Sequence, residues 1–311
     1  MNALEGLLAA PGRRTLGGVP EGFDAAVLAD LARRAGRPIV HVARDDARMA
    51  TLADALAFFA PDLDIATFPA WDCLPYDRVS PNPAILGQRL ATLARLGANP
   101  PRILLTTVNA AWQRTIPPSA MADATLTIAK GAELDLDRLL GFLARAGYVR
   151  VSTVAEPGDF ALRCGIVDIF PPGEEYPIRL DLFGRSVEAI RTFDALSQRS
   201  VGAIERVALR PAGEVWLDQA SIARFRSGYL ASFGATQDGD PLYAAVCEGR
   251  RHLGMEHWLP LFHESLGTLF DYLPGSPVTF DRQAEEARIE RRKTIADYYE
   301  ARRGADRKSV V

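Results

Sequence analysis

The chain has 311 residues, a formal net charge of −3 at pH 7, and ordinary shares of apolar (48%) and charged (24%) side chains. This length predicts two or three domains, and the composition is typical of a soluble globular protein. The negative charge gives no electrostatic basis for strong nucleic-acid binding. Three widely separated cysteines without a C-x-x-C pair argue against a disulfide framework or a zinc site, and we expect a cytoplasmic protein without a membrane partner.

The first third of the chain alternates helical and strand-like segments. Helical spacing at 24–35, with Asp24 as the predicted N-cap, is followed by a β-branched run at 38–43. Further helices are predicted at 45–60 and 83–97, and further strands at 64–69 and 102–108. This alternation predicts an open, mainly parallel α/β sheet.

The pattern changes near residue 117. A proline breaker precedes an amphipathic segment, "DLDRLLGFLARAGY", and then three alternating segments, "DFALRCGIVDIF", "YPIRLDLF" and "SVEAIRTF". Alternation interrupted by turn residues predicts an antiparallel meander of hairpins, and hence an α+β domain. A mainly helical region follows and ends in the strand "PVTFD" and a long charged helix. We therefore predict three domains, at 1–117, 118–208 and 209–311.

A glycine-rich turn, "GGVPEGFDA" at 17–25, has the length of a phosphate-binding P-loop when it is framed from Gly18. Gly18 and Gly22 suit a tight turn. However, Phe23, Asp24 and Ala25 stand where the second glycine, the lysine and the hydroxyl belong. A carboxylate there repels a phosphate by roughly 4 kcal/mol at about 4 Å and an effective dielectric constant of about 20. Both a chance turn and a decayed nucleotide site fit this pattern.

A second segment resembles the other half of a nucleotide site. "SPVTFDRQ" is an apolar strand that ends in Asp281, which is the form of a Walker B element, but Arg282 replaces the catalytic glutamate. Two sites that both lack their catalytic residues favour a scaffold that has kept a fold and lost its chemistry. We therefore expect this chain neither to bind ATP tightly nor to hydrolyse it.

The meander contains a candidate partner-binding surface. Strand alternation places Arg179, Asp181 and Phe183 on one face of "YPIRLDLF" and the apolar residues on the other. We predict that Phe183 is exposed beside Arg179 and that Arg163 joins them from the neighbouring strand, through the "PPGEE" connection. All three side chains are expected to be exposed. Arginine with an exposed aromatic side chain is typical of an interface hot spot. An isolated surface phenylalanine among solvated arginines is the alternative.

Two other features have ordinary structural interpretations. Trp71 and Tyr76 lie in a proline-rich loop and are suited to stacking on bases, but with only Arg78 nearby we predict that the loop packs on its own domain. The mixed-charge segment 282–303 is predicted to be a solvated connecting helix, with its "RIERRK" patch as a weaker candidate for contact with DNA or another domain.

Two groups of titratable residues are also expected to be structural. His252, His257 and His263 are spaced five and six residues apart, which does not line one face of a helix, so no metal site is predicted. Asp168 and Asp181 lie in predicted strands, and we expect them to be ion-pair partners rather than a catalytic dyad.

Three long segments carry a family resemblance: "FPAWDCLPYDRVSPNPAILGQRLATLARL", "GDFALRCGIVDIFPPGEEYPIRLDLFGRSVEAIRTFDALSQRS" and "GMEHWLPLFHESLGTLFDYLP". The chain resembles the N-terminal, UvrB-like module of the bacterial transcription-repair coupling factor family (Mfd). The resemblance implies a degenerate RecA-like domain 1A at 1–117, an inserted UvrA-binding domain 2 at 118–208, and a mainly helical domain 1B at 209–311 whose last helix returns to 1A. It also implies that UvrB's damage-probing hairpin is absent.

The resemblance further implies a role in nucleotide excision repair. Arg163, Arg179 and Phe183 occupy the motif positions that bind UvrA in the family, so the chain is expected to recruit UvrA to RNA polymerase stalled at a DNA lesion. The family's ATP-driven DNA translocase, with its ATP, Mg²⁺, DNA and RNA polymerase contacts, belongs to further domains that 311 residues have no room for. We expect neither cofactor nor catalysis from this chain itself.

Two alternatives remain open at this stage. One is a divergent UvrB-type repair helicase or NTPase, which requires a lysine and a hydroxyl in the 18–25 turn and a glutamate at position 282. The other is an intramolecular clamp, in which other domains of the coupling factor cover domain 2 and hold the motor inactive. One surface can serve both UvrA binding and such an autoinhibitory contact.

Overall fold

The computed structural model describes residues 6, 8, 12–234 and 240–308. The chain divides into two compact units. The first unit comprises Met1–Ala70, Arg95–Arg114 and Thr268–Val311, and the second comprises Trp71–Ala94 and Thr115–Gly267. No helix of the described residues is long and apolar enough to cross a membrane.

The described elements follow one another in a mixed order. In the first part of the chain they are α1 (Phe23–Arg34), β1 (Ile39–Ala43), α2 (Asp46–Phe59), β2 (Ile65–Phe68), α3 (Pro83–Ala98), β3 (Ile103–Thr107) and α4 (Val108–Trp112). The middle part contains α5 (Pro118–Asp123), β4 (Leu126–Ala129), α6 (Leu136–Arg145), β5 (Val149–Arg150), β6 (Asp159–Arg163), β7 (Ile166–Ile169), β8 (Ile178–Phe183), β9 (Ser186–Phe193), β10 (Ser200–Ile204) and β11 (Arg206–Leu209). The last part contains α7 (Gln219–Phe233), α8 (Pro241–Cys247), α9 (Leu259–Phe262), β12 (Val278–Phe280) and α10 (Ala284–Lys308), with 3-10 turns at Met255–Trp258 and Leu269–Tyr272.

The first unit is built on a parallel sheet with the strand order β12-β1-β3-β2. β1 and β3 are buried along their whole length, as expected for strands of a parallel sheet. Apolar side chains of α1 and α2 share one core with these two strands. The predicted mainly parallel α/β sheet is thus confirmed.

The start of α1 differs from the prediction that Asp24 is its N-cap. The helix begins at Phe23, and Gly22 is the N-cap, with φ +96°, a conformation that glycine adopts without a Cβ penalty. The Asp24 carboxylate lies in the first turn, where its Oδ1 accepts hydrogen bonds from the backbone N–H groups of Gly22 and Ala25, each at 3.0 Å. A carboxylate in this position is stabilised by the helix dipole.

The second unit contains a six-stranded sheet with the order β10-β9-β8-β7-β6-β5. All neighbouring pairs are antiparallel except β5 with β6, so the predicted meander is present. The segment "DFALRCGIVDIF" forms two strands, not the single one predicted, because the chain turns at Cys164 and Gly165. Gly165 takes φ +73°, which only glycine accommodates readily.

One face of this sheet is covered by α6. Leu139 and Leu143 of the helix share a core with Leu180 and Ile190 of the sheet, and all four are almost fully buried. Two further structures belong to the second unit: a two-stranded sheet of β4 and β11, and a helical cluster in which Phe225 packs against Phe262 with ring centroids 4.8 Å apart. The opposite face of the six-stranded sheet carries the candidate partner-binding residues.

Candidate functional site

The strand register brings the charged residues of the sheet onto one face. Directly opposed residues of paired strands point to the same side. One row across the sheet is Ala161, Asp168, Arg179, Arg191 and Ala203, and the next is Arg163, Ile166, Asp181 and Ala189. Phe183 follows Asp181 by two residues on β8 and lies on this face, which we call the arginine face, at the end of its strand.

Phe183 is exposed as predicted. The residue keeps 79% of its surface accessible at the last position of β8. The apolar set Ile178 and Leu180 faces the core, so the predicted assignment of the two faces is confirmed.

Arg179 is on the predicted face, but the expectation that it is exposed is wrong. Its Nε and Nη2 donate to the two oxygens of Asp168 at 2.7 and 2.9 Å, and its guanidinium lies 4.6 Å from the centroid of the Phe193 ring. The Arg179 side chain is 18% exposed and that of Asp168 only 1%. The ion pair favours the protonated form, so the pKa of Arg179 is raised further above its usual value. Asp168 thus has the structural role predicted for it.

Arg163 also lies on the arginine face, but not beside β8. β7 separates its strand from β8, so it is two strands away, about 10 Å. The "PPGEE" connection links β7 to β8 and does not bring Arg163 closer. Its Nη2 donates to the Ser152 carbonyl at 2.7 Å and to the Thr153 hydroxyl at 3.2 Å. The structure therefore brings the three predicted residues to one face without making them neighbours.

Sequence reasoning missed Arg191, which lies directly opposite Arg179. Its side chain is 49% exposed and pairs with Asp181, Nη2 to Oδ2, at 3.1 Å. A register shift in the β8–β9 pair skips Glu188 and moves Val187 to the core face. The signal was present in the sequence, since the apolar residues Val187 and Ile190 are spaced by three, whereas strict alternation places residues of one face two apart.

The first unit contains a second cluster of charged residues, built by the predicted P-loop and Walker B segments. Asp281 directly follows the edge strand β12, as predicted, and its side chain is 4% exposed. Arg48 of α2, only 3% exposed, bridges two carboxylates: its Nε lies 3.3 Å from Asp281 Oδ1, and its Nη2 contacts Asp24 Oδ2. Arg44 Nη1 lies 3.6 Å from the other Asp281 oxygen.

The rest of the glycine-rich turn has the glycine conformations of a tight turn, but no described strand precedes it as in a P-loop. Phe23 is 57% exposed, whereas Ala25 is fully buried. Gly18 and Gly22 both have positive φ, as tight turns require. Residues 12–22 contain no strand, and Gly6 and Leu8 are helical, so the described residues lack the strand that precedes a P-loop. Arg282 is exposed next to Asp281, whose side chain is buried.

His41 is buried in β1 close to this cluster. Its Nδ1 lies 2.9 Å from the Thr279 hydroxyl. Burial lowers the pKa of His41 to about 4, against an opposing effect of the Asp281 and Asp24 charges. The ring is therefore neutral at physiological pH.

The proline-rich loop packs within the second unit. It contacts Glu214 and His257, which lie outside the domain at 1–117 on which we predicted it to pack. The Trp71 ring lies edge-on to His257 with centroids 5.8 Å apart, and its Nε1 donates to Glu214 at 3.4 Å. Burial raises the pKa of the neighbouring Cys73 thiol to about 11, which removes it as a nucleophile near neutral pH. Within the described ranges, no three His, Cys, Asp or Glu side chains are grouped so that they could hold a metal ion.

Comparison with known proteins shows which family the chain is similar to. The model of the UvrB interaction domain matches residues 126–214, which include the whole arginine face. The chain is 35% identical to a transcription-repair-coupling factor of Escherichia coli K12 over 280 residues, 90% of this chain and 24% of that protein. It is 33% identical to the factor of Haemophilus influenzae over 279 residues, 89% of this chain and 24% of that protein. The chain thus spans about a quarter of the length of these relatives.

Proposed function

Because the chain belongs to the transcription-repair coupling factor family, as its UvrB-like module, we propose that it recruits UvrA to RNA polymerase stalled at a DNA lesion. The observation that carries the proposal is Phe183, which is 79% exposed at the end of β8 and shares its face with three arginines. This face lies inside the segment that matches the UvrB interaction domain. An exposed aromatic side chain beside guanidinium groups is a surface composition enriched in interface hot spots.

Arg163, Arg179 and Phe183 belong to the proposed UvrA-binding hot spot of this face. Phe183 supplies apolar area to a pocket, and an arginine fork suits a carboxylate of the partner. The distances between the three positions imply an extended contact across β6 to β8 rather than a single pocket. Other domains of the coupling factor are proposed to cover the same face in an autoinhibited state.

The first unit is proposed to be the degenerate RecA-like part of the module. Its four parallel strands and the position of Asp281 after β12 support this assignment. The division into domains at 1–117, 118–208 and 209–311 likewise remains a proposal. In the family setting, ATP, Mg²⁺, DNA and RNA polymerase are proposed to bind regions outside this chain, in the cytoplasm, while this module contributes UvrA recruitment.

A divergent UvrB-type NTPase or helicase is the second candidate, and the charged cluster of the first unit counts against it. Asp24 stands at the phosphate-binding lysine position of the P-loop pattern and Asp281 at the Mg²⁺-binding position of the Walker B pattern, and Arg48 already pairs with both carboxylates. A nucleotide has to displace this pairing and leave the buried Asp281 carboxylate with only the more distant Arg44, at 3.6 Å. Breaking a buried ion pair costs about 3–5 kcal/mol.

The proposal is tested by titrating UvrA into the chain by calorimetry, with Phe183→Ala and a matched control. Leu196→Ala is that control, because Leu196 is 96% exposed in the β9–β10 connection and its removal deletes a similar apolar side chain elsewhere on the same sheet. We expect Phe183→Ala to weaken binding about thirtyfold, the effect of losing about 2 kcal/mol, and Leu196→Ala to leave it unchanged. The melting temperature should be nearly unchanged in both. Equal affinity for all three proteins rejects this face as the UvrA site.

A further inference from the structure

We propose that Arg191 is the guanidinium of the arginine face that meets a carboxylate of the bound partner, and that Arg179 is a positioning residue. The inference rests on the proposed function, since the partner is UvrA and the face is the same. It separates two arginines that oppose each other directly across β8 and β9 but differ in exposure, 18% for Arg179 and 49% for Arg191.

The fork of Arg179 is already occupied. Two of its N–H groups bind both oxygens of Asp168, and Asp168 is 1% exposed. One side of the guanidinium lies over the Phe193 ring at 4.6 Å from its centroid. A partner carboxylate that takes the same edge leaves Asp168 buried without its counter-charge, which is strongly unfavourable. Arg179 therefore holds β7, β8 and the underlying ring in place.

Arg191 has the opposite properties. It makes one ion pair, through Nη2, to Asp181, which is itself 24% exposed. A guanidinium carries five N–H donors in a planar fork, so most of the donors of this half-exposed group are directed elsewhere than Asp181. Asp181 restrains Arg191 and reduces the entropy lost when a second carboxylate joins the pair.

The position of Arg191 also suits the partner. Asp181 lies between Arg191 and Phe183: it precedes Phe183 by two residues on β8 and is in ion-pair contact with Arg191. The Arg191 guanidinium is thus held on the side of Arg191 that leads towards Phe183, the apolar contact residue. Arg185 in the β8–β9 turn adds a further exposed guanidinium, at 69%. The acidic residues of the face are already engaged: Asp168 and Asp181 pair with arginines, and the Asp159 carboxylate accepts the backbone N–H groups of Ala155 and Glu156. The exposed donors of Arg191 therefore suit an acidic side chain of UvrA that lies beside an apolar pocket for Phe183.

The first experiment measures UvrA affinity of Arg191→Ala, Arg191→Lys and the matched control Arg250→Ala. Arg250 is also exposed, at 64%, and ion-paired, to Glu248, but does not belong to the sheet. We expect Arg191→Ala to weaken binding at least about tenfold with a nearly unchanged melting temperature, and Arg191→Lys to restore only part of the affinity because an ammonium cannot form a fork. Arg250→Ala should bind like the unmodified chain.

The second experiment separates positioning from contact at Arg179. The double variant Asp168→Leu/Arg179→Met replaces the buried pair by apolar side chains, and we expect it to bind UvrA within about threefold of the unmodified chain, while Arg179→Ala both melts lower and binds weakly. A tenfold loss in a folded double variant means that Arg179 itself contacts UvrA. Asp168→Asn gives an independent readout, because it keeps Arg179 and loosens its fork: weaker binding supports positioning, and unchanged or tighter binding supports contact.

The outcomes distinguish this inference from the function on which it rests. If the unmodified chain does not bind UvrA, the proposed function fails and the inference with it. If Phe183→Ala weakens binding but Arg191→Ala does not, the proposed function stands and the inference is overturned. Loss in both, with Arg250→Ala unaffected, supports both.

Discussion

Arg179 shows how far alternation can predict the role of a residue. Its position on β8 gives the correct face, because side chains of a strand alternate strictly between faces. Its burial depends on Asp168 from β7 and Phe193 from β9, two contacts that only the register of three strands specifies. Phe183 has no such neighbours at the strand end, so its exposure was predictable from the sequence.

Another arginine of the second unit, unlike Arg179, is buried completely. Arg89 of α3 donates from Nε to Glu214 at 2.7 Å, and both side chains are 0% exposed. The Trp71 ring lies 5.8 Å from the guanidinium. Nothing in the sequence pairs residues 125 positions apart, so this ion pair was not predicted.

We expect Arg89→Met to destabilise the protein by about 3–5 kcal/mol, because it leaves the Glu214 carboxylate buried without its counter-charge. The double variant Arg89→Met/Glu214→Leu should recover most of that loss. Thermal melts of the three proteins at one pH measure it. Equal melting temperatures for Arg89→Met and the unmodified chain contradict the assigned importance of the pair.

At the scale of elements, the sequence correctly predicted which segments are helices and which are strands, but not the exact strand boundaries and register. The strands of the parallel sheet are short, mainly apolar runs with several β-branched residues, and the helices between them have clear periodicity, so both were found with small boundary errors. The split of β6 from β7 was missed, because it depends on the left-handed conformation of Gly165. The bulge in β9 was missed because it changes which residues share a face, and so Arg191 was missed with it.

His41 in the buried strand β1 makes the stability of the first unit depend on pH. The folded-state pKa of His41 is about 4, below its ordinary value of about 6.5, so the unfolded chain binds more protons between these values. This contribution to stability is complete above pH 6.5 and is lost as the pH falls towards 4. We expect acidification from pH 7 to pH 5 to cost about 2 kcal/mol at His41.

Melting the unmodified chain and His41→Asn over this pH range isolates the effect. Burial also lowers the pKa of His263, so part of the pH dependence should remain in the variant. Identical pH slopes for the two proteins would show that His41 titrates normally in the folded state.

At the scale of the whole molecule, the two units have different chemistry. The second unit presents an exposed aromatic residue with arginines, and the first has a closed cluster of Asp24, Arg48 and Asp281. The family explains this difference, since recruitment and motor activity are proposed to belong to different parts of a longer protein. The P-loop and Walker B hypotheses remain predictions at the level of individual residues.

We predict that the chain neither binds MgATP with micromolar affinity nor hydrolyses it. Calorimetry and a turnover assay measure this directly, with Asp281→Ala as the companion variant because it removes the buried carboxylate from the cluster. Micromolar affinity that disappears in Asp281→Ala would revive the NTPase alternative. Arg48→Met should not create ATP binding, since it removes the only side chain that bridges Asp24 and Asp281 in this cluster and leaves both charges in place.

The most direct test of UvrA recruitment through the arginine face is amide hydrogen exchange of the chain with and without UvrA. Backbone amides at a docked surface exchange more slowly, and peptides covering β8 and β9, residues 178–193, report this face. The account predicts slower exchange in these peptides, lost in Phe183→Ala, with the sheet of the first unit unchanged. Slower exchange in β1, β12 or α10 with none in β8 and β9 would contradict it.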